Sequence, residues 1–505
     1  MPSISRRTLL QGTGAMAVVG SLSGLIPETA HAMNSLGAKP ELLNKRAGTV
    51  KYHSCLRNCA DRCLMKFRVQ DGRMTYVSGA EKQAKTGTCP CVKGLTYVEY
   101  TYAPDRILHP MERIGEKGSH KWRRITWEEA WAKLITKTKE VVAKYGPEAV
   151  LPYSYSGNYG AIGMHASGER FFNRLGASYL DRLVCTEAGV WGYGSVQGTT
   201  DGPDPDEIPN CDCYISWGFN ETVSNVHGIK LINQMRDKGG VVLAVNPNRT
   251  PICSQADVYL QNYPGSDAWV ATGVMKYLIA HDETIDHEFL DKCCIGADKV
   301  FEKVNSVKWE DIERVTGCKR AEIEKFAALY GKSKNCIIRG GYGMQRNYNG
   351  ARMTRAIAIM HALRGMFDRP NAGIIYDNVR SITGMNNFDG RGNYFLTGKE
   401  QHVNMTDLDQ ALKAKNPTSQ NLIDNHTPPP QPIKPIHLFF FYNGNPVAVS
   451  PNVNQVIENL KRDDLYVVGF DMIMTDSMEY CDLVLPASTQ FETDDIIGDS
   501  VSYTH

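Results

Sequence analysis

Apolar residues along this chain fall into two alternating patterns. Thr126-Trp-Glu-Glu129 has the form of a capping box, and apolar positions then recur at helical spacing to about Tyr145, where Gly146-Pro147 stops the helix. Apolar runs of strand length follow at Val150–Tyr153, Cys213–Trp217, Val241–Val245, Cys336–Arg339, Ile436–Phe441 and Leu465–Phe470, with helical stretches between most of them. Strands that are apolar throughout and alternate with helices predict parallel sheets covered on both faces, an α/β class. Several of these strands run into loops rich in Gly or Asn: Gly218-Phe-Asn220, Asn246-Pro247-Asn248, Gly340-Gly-Tyr-Gly343 and Asn443-Gly-Asn445-Pro446. Open α/β sheets bind ligands beyond the carboxyl ends of their strands. Ordinary turn chemistry explains one such loop; four together predict a large, extended, phosphate-bearing ligand. The proline-rich run His426–Pro435 predicts a connection that is neither helix nor central strand.

The first residues break this alternation. Ser5-Arg6-Arg7-Thr8-Leu9-Leu10 is a twin-arginine pattern, an apolar Gly- and Ala-rich stretch runs from Gly12 to Ile26, and Ala30-His31-Ala32 offers a small-residue cleavage site. That order of regions predicts an export signal over residues 1–32. Twin-arginine signals are addresses read by a receptor, not anchors, and they suit a protein exported already folded around a cofactor. The expected location is periplasmic or on the outer face of the cytoplasmic membrane. No later run reaches the ~20 apolar residues of a membrane span.

Composition narrows the picture further. The remainder of the 505 residues is too long for one core and predicts about three domains. Net charge is +1, from 56 basic and 55 acidic residues, so no global field points to nucleic acid. Fourteen cysteines in an exported chain would ordinarily suggest disulfides. Their scatter has no framework pattern, and four look committed to metal, so the others are expected to be buried thiols.

Those four are Cys55, Cys59, Cys63 and Cys91, in C-L-R-N-C-A-D-R-C followed by C-V-K-G. Three thiolates in nine residues and a fourth from a later loop can hold an iron–sulfur cubane. A disulfide pair and a structural zinc are the plainer readings, but zinc favours two separated knuckles. Cys89 competes for the fourth position; Cys91 is preferred because Lys93-Gly94 places a cation and a turn beside it.

With these pieces in order, the chain resembles the dimethyl sulfoxide reductase family of molybdopterin oxidoreductases. The resemblance rests on the signal, the C-x3-C-x3-C-x27-C spacing and Tyr102-Ala-Pro-Asp-Arg106. It continues through Gly218-x-Asn220, Asn246-Pro247, Pro264-Gly265-Ser-Asp267-Ala268, Gly343-Met-Gln345-Arg346, Asn443-x-x-Pro446, Met474-Thr475 and Cys481-Asp482-Leu-Val-Leu-Pro486-Ala487. It implies a [4Fe-4S] cluster and one molybdenum or tungsten held between two pterin guanine dinucleotides. The implied fold is a small N-terminal iron–sulfur domain (45–105) and two doubly wound α/β domains, one discontinuous (106–150 with 335–505) and one carrying the metal ligand (151–334). Members continue well past the point where this chain stops, so the family's C-terminal domain is expected to be absent, as in a truncated record, an interrupted gene or a split enzyme.

The same resemblance assigns roles. Cys185, in Arg182-Leu-Val-Cys185-Thr-Glu-Ala-Gly189, matches the protein ligand of the metal; a thiolate is a soft donor suited to it, and a small buried hydrophobe is the plain alternative. Gly218 and Gly343 suit pyrophosphate, because backbone amides bind it without side-chain bulk. Asn220 and Asn246, with Pro247, suit ribose or pterin edges. Asp267, behind Gly265, and Asp482 suit guanine N–H groups, helix capping being the alternative. Gln345 and Arg346 offer planar donors, Asn443 is a further cofactor-binding residue by the same match, and Lys93 lies on the electron path between cluster and pterin. His165, Glu187 and Trp191 flank the metal position. The implied partners are a ferredoxin-like electron-transfer subunit, a membrane quinol-oxidising subunit and a small-molecule substrate. Sulfoxide reductases of the family carry serine on the metal, whereas cysteine, as here, occurs in the polysulfide, thiosulfate and periplasmic nitrate reductases. The implied activity is reduction of an S- or N-oxide or a sulfur oxyanion, with a hydratase or dehydroxylase as the alternative within the family and an inactive fragment as another.

Overall fold

The computed structural model describes residues 48–495 apart from 58, 60, 62, 81–89, 156, 158–159, 378–390 and 421–429. The expected signal, Cys89 and residues 426–429 of the proline-rich connection lie outside the described residues.

The N-terminal unit is an antiparallel meander of β1 (Thr49–Ser54), β2 (Leu64–Gln70) and β3 (Arg73–Gly79). Its alternate residues Met65, Phe67, Met74 and Val77 pack with Tyr97 into a small core that also takes Cys63. The cluster loop hangs between β1 and β2, so the meander fixes both of its ends.

The first large sheet is wholly parallel. It contains β8 (Cys213–Trp217), β9 (Val241–Val245), β10 (Val258–Leu260), β11 (Cys336–Gly340) and β12 (Gly373–Ile375), in the spatial order β10-β9-β8-β11-β12. Every residue of β8 and β11 is buried. Cys213, Ile215, Trp217, Leu243, Val245, Cys336 and Ile338 face one core, while Tyr214, Val242, Ala244, Ile337 and Ile375 face another. Two cores on two faces are what continuous apolar strands require.

The second sheet combines both strand senses. β6 (Val150–Tyr153), β16 (Leu438–Tyr442), β17 (Tyr466–Asp471) and β18 (Leu483–Pro486) run parallel, and β4 (Met111–Arg113) and β5 (Trp122–Arg124) add an antiparallel hairpin beyond β18. This sheet too is covered on both faces, as expected from its apolar strands: Leu151, Tyr153, Phe439, Phe441 and Val467 face one core, and Val150, Leu438, Val468 and Leu483 the other. The helix Trp127–Tyr145 covers this second face through Ala130 and Val141, and its N-terminus carries the reciprocal Thr126–Glu129 capping box. Two short ribbons, β7 (Tyr179–Asp181) with β13 (His402–Asn404) and β14 (Thr418–Ser419) with β15 (Gln431–Pro432), complete the described strands.

Pairing corrects the expected boundaries. Cys336–Gly340 was assigned by its position to the discontinuous unit beginning at 335, yet it pairs along its whole length with Cys213–Trp217. Val150–Tyr153 likewise joins β16 and straddles the boundary at 151. A fully buried strand needs neighbours on both sides, and β11 finds them by returning past β9 and β10 to the far flank of β8. That return reverses the strand order at β8/β11, which is the topological switch point of the sheet.

The cysteines outside the thiol cluster mostly serve as small core residues. Cys211, Cys213, Cys253, Cys318, Cys336 and Cys481 are buried thiols. No helix among the described residues is long and apolar enough to cross a membrane.

Candidate cofactor and metal site

At the thiol cluster, each described cysteine is positioned by a different local device. Cys55 donates its amide to the Cys63 carbonyl (2.8 Å), closing the loop on itself, and its Sγ lies 3.1 Å from the buried Tyr97 hydroxyl. Cys91 stands at the N-cap of the short helix Val92–Leu95 and accepts from the amides of Gly94 and Leu95. A Cβ on Gly94 would sit 2.7 Å from Pro90 Cβ and 3.3 Å from Met65 Sδ, so this turn demands glycine. Cys55, Cys59 and Cys91 all lie near enough to Cys63 to raise its thiol electrostatically, after burial and the Asp61 carboxylate. Burial, then the Asp61 carboxylate, pushes the Cys59 thiol up to about 12, and burial likewise raises Cys63. Four such thiols become thiolates together when cations share the site with them. Among the described residues no three His, Cys, Asp or Glu side chains converge at single-ion spacing. A cubane does not require that, since each of its thiolates binds a different iron. Cys55, Cys59, Cys63 and Cys91 therefore form a donor set that fits such a cluster; the competing Cys89 lies outside the described residues.

Lys93 leaves the helix after Cys91 and donates to the carbonyl of Val223 (2.7 Å), three residues beyond Asn220. Its charge also reaches the Cys59 thiol. Asp61, only 3 % exposed, accepts from Asn225 Nδ2 (2.6 Å) and from the His227 amide (3.1 Å). The thiol loop is thus fastened twice to the segment that follows β8.

That segment leaves the switch point. Gly218 adopts φ +62°, and a Cβ on Gly341 would lie 1.9 Å from the Gly218 carbonyl oxygen, so the ends of β8 and β11 approach as only glycine allows. Asn220 accepts from Thr222 Oγ1 (2.7 Å) as it opens a helical turn. Beneath the loop, the Arg339 guanidinium lies 4.4 Å over the Phe219 ring. Glu221 is fully buried and accepts from Tyr214 Oη (3.0 Å); burial raises its pKa. Asn246 ends β9, donating to the Phe219 carbonyl (3.1 Å) and accepting from the Asn248 amide (3.0 Å) across Pro247. Gly265 faces Asn347, and the exposed Gly343 and Arg346 rim the same edge. Gly218, Asn220, Asn246, Pro247, Gly265, Gly343, Gln345 and Arg346 are brought together on one carboxyl edge.

Cys185 lies between the two sheets. Its amide donates to Tyr155 Oη (3.2 Å), and Tyr155 follows β6 and donates its own amide to the Asn443 carbonyl (3.4 Å) just past β16. Its carbonyl accepts from Gln345 Nε2 in the loop that follows β11, while Gln345 Oε1 accepts from the Gly189 amide (2.6 Å). The carboxyl edges of both sheets therefore hold the backbone of one cysteine. Arg182 reinforces the approach by donating to the Ser154 carbonyl (2.7 Å) and hydroxyl (2.8 Å). Asn443 reaches its position with φ +49°, a conformation asparagine tolerates.

Two expected ligands are placed otherwise. Asp482 immediately precedes β18, so it stands at the amino edge, opposite Asn443. There it pairs with Arg113 (2.5 Å) and Lys117 (3.2 Å), accepts from the Val467 amide (2.8 Å) and lines a 660 Å³ cavity remote from Cys185. Its carboxylate ties the β4–β5 hairpin to the sheet rather than meeting a guanine. Asp267 sits at the cofactor edge but faces inward. It is 4 % exposed and accepts from Trp217 Nε1 (2.9 Å) and Asn262 Nδ2 (3.3 Å) at the start of the helix Asp267–Ala280. Of the residues flanking Cys185, Glu187 and Trp191 are exposed, and the backbone of His165 lies in the helical segment Ala161–Ala166.

Sequence reasoning passed over Tyr97, Asp61, Tyr155, Asn225 and His227. The aspartate inside C-A-D-R-C was the one available signal, because an acid between thiolates needs a partner. The others act across separations of 30 to 166 residues.

Residues 106–501 match the family described as molybdopterin oxidoreductase, and residues 49–103 match the molybdopterin oxidoreductase Fe4S4 domain. The chain is 30% identical over 451 residues to the probable oxidoreductase YoaE of Bacillus subtilis, covering 89% of this chain and 63% of that protein. It is 26% identical to the dimethyl sulfoxide reductase DmsA of Escherichia coli, covering 98% of this chain and 65% of that protein. Acetylene hydratase from Pelobacter acetylenicus shares the fold, with TM-score 0.67, 20% identity, and coverage of 86% of this chain and 63% of that one. The chain thus spans under two thirds of the length of these relatives.

Proposed function

The chain belongs to the molybdopterin oxidoreductase family, and from that premise we propose that it forms the catalytic part of an exported anaerobic respiratory molybdoenzyme that reduces an S- or N-oxide or a sulfur oxyanion. One observation carries the reading: the backbone of Cys185 is suspended between the carboxyl edges of two parallel sheets, and Lys93 links one of those edges to the thiol cluster. When bound, molybdenum, or tungsten in its place, supplies a two-electron redox change and a position for exchanging an oxygen atom with substrate.

The residues of the chain do the rest. Tyr155 and Gln345 fix the Cys185 backbone so that its thiolate projects from a rigid turn. The amide-rich loops at Gly218 and Gly343 receive phosphate of one guanine dinucleotide, and the Asn443 loop lies on the side of the second. Lys93 brings a positive charge between cluster and pterin, where it favours arrival of an electron. The relationship to DmsA supports the reductase reading, and pairing with a ferredoxin-like subunit and a membrane quinol-oxidising subunit belongs to the same proposal. The Arg6-Arg7 signal supports export. A second reading, addition of water without net redox change, is favoured by the similarity to acetylene hydratase in both sequence and fold.

Metal analysis of the full-length gene product, a reductase panel with a viologen donor and an acetylene-hydration assay separate these readings. Molybdenum or tungsten at about one per chain with about four iron, and viologen oxidation by an oxide substrate, support the reductase. Hydration product without viologen oxidation supports the second reading; iron alone refutes both. Cys185→Ala should abolish turnover and remove one sulfur from the metal-edge absorption spectrum, and an unchanged sulfur count would show that Cys185 is ordinary packing.

A further inference from the structure

Besides the Tyr97 hydroxyl at Cys55, two polar side chains touch the thiol cluster without belonging to it. His227 Nε2 lies 3.8 Å from Cys63 Sγ, and Asp61 Oδ2 lies 3.5 Å from Cys59 Sγ. They are connected, because the His227 amide donates to Asp61 Oδ2 and Asn225 Nδ2 to Asp61 Oδ1. His227 and Asn225 come from the segment after β8, 164 residues from the thiols. This small network is therefore the seam between the thiol domain and the first parallel sheet.

Iron changes the chemistry of both contacts. A thiolate bound to iron carries no proton, so Cys63 Sγ can only accept, and the facing nitrogen must be an N–H. Cluster occupancy thereby selects the Nε2–H tautomer of His227. The same loss of a proton turns the Cys59–Asp61 contact from a hydrogen bond into two like charges in near contact. Asp61 is held there by the Asn225 amide and the His227 backbone, so it cannot swing away. Hydrogen bonds to sulfur and nearby charge are the means by which a protein sets cluster potential.

We propose that His227 and Asp61 set the reduction potential of the cluster with opposite signs, His227 raising it by donating to Cys63 and Asp61 lowering it by opposing added negative charge at Cys59; this rests on the iron–sulfur assignment above. Reduction places one further electron on the thiolate–iron assembly. An N–H aimed at sulfur stabilises that charge, and a fixed carboxylate destabilises it. The backbone link makes the pair one device: the segment after β8, which also carries Asn220, positions both. Neither residue is a ligand, and neither is placed to touch substrate, so both act as positioning and tuning residues.

The test is a dithionite titration of the purified full-length protein, followed by the paramagnetic signal of the reduced cluster, with iron measured on each sample. His227→Leu should lower the reduced-to-oxidised ratio at fixed poise by about tenfold, which is about 59 mV for a one-electron couple. His227→Gln retains an N–H donor and should recover most of that shift. Asp61→Asn should move the ratio the other way by a similar factor. Unmoved potentials in His227→Leu and Asp61→Asn with iron near parent content would overturn the proposal, as would two shifts of the same sign. If His227→Leu loses its iron, Asp61→Asn decides, a rise supporting the proposal and no change refuting it. A parent protein that purifies with zinc or no metal refutes the cluster assignment itself, a result distinct from four iron at unmoved potentials.

Discussion

Replacing Gln345 with leucine isolates the device that holds the metal-ligand loop. Gln345 is 6 % exposed, and its amide bonds the Cys185 carbonyl and the Gly189 amide at once. Gly189 is the third residue of the helix Glu187–Gln197, whose N-cap Thr186 makes no side-chain cap, so Gln345 serves as a cap supplied from 156 residues away. Leucine is of similar volume and leaves little cavity, but it leaves one buried donor and one acceptor unmade. Each costs roughly 1–3 kcal/mol. Taking about 2 kcal/mol off the local opening free energy at Gly189 predicts exchange of that amide about 30-fold faster. Hydrogen exchange followed by mass spectrometry on the peptide spanning 182–197 reads this directly, with the helix Asp267–Ala280 as internal control. Gln345→Glu keeps the acceptor for Gly189 but turns a carboxylate oxygen toward the Cys185 carbonyl, so it should preserve protection at Gly189 and loosen the loop before it. Unchanged protection at Gly189 in Gln345→Leu, or equal acceleration in the control helix, would refute the claim that this glutamine holds the loop locally.

Two further outcomes rest on side-chain geometry and one on the N-terminal sequence. Asp482→Asn leaves Arg113 and the nearly buried Lys117 without their counter-charge and should destabilise the second sheet by about 2–3 kcal/mol, measured by denaturant unfolding, with guanine content of the loaded protein unchanged; a drop in guanine at constant stability would instead make it a ligand. His361 is completely buried, and burial, then Arg364, lowers its pKa to about 3, so the folded chain keeps it neutral while the unfolded chain takes up a proton below about 6.5. Its contribution is complete above that pH and is lost as pH falls toward 3, by up to about 5 kcal/mol; His361→Gln should flatten the acid limb of a stability-versus-pH curve, and an identical limb in the variant would remove His361 as its source. Changing Arg6 and Arg7 to lysine should retain the folded protein in the cytoplasm by fractionation, and normal appearance in the periplasm would refute the export reading.

Features that depend on neighbours along the chain are legible in the amino-acid order alone. The capping box at Thr126–Glu129 forms because both partners lie within one helical turn. The strands at Val150–Tyr153, Cys213–Trp217 and Val241–Val245 appear where apolar residues run unbroken. The cysteine spacing announced a polynuclear site, since three thiols within nine residues have few other uses. The short strands at Met111–Arg113, Tyr179–Asp181 and Gly373–Ile375 carried no comparable signal, because three residues are too few to establish a period. The family resemblance supplied roles for Cys185 and the glycine loops, but not the side of a sheet on which each residue would stand.

Which strands are neighbours, and what faces across the gaps between them, is set by the packing of the whole fold. The return of Cys336–Gly340 to the flank of Cys213–Trp217 depends on two-sided burial, a property of the finished sheet and not of either segment. That pairing creates the switch point, carries Gln345 to Cys185 and so defines the site. Asp482 was misplaced because its motif gives a distance along the chain and no strand direction; entering β18 puts it on the amino edge, among Arg113 and Lys117. Asp267 is engaged by Trp217, fifty residues earlier, a contact that no local motif announces. Asp61, Asn225 and His227 became a unit in the same way. Local sequence fixes backbone propensity over a few residues, whereas these contacts join segments whose approach is chosen by burial of the whole core.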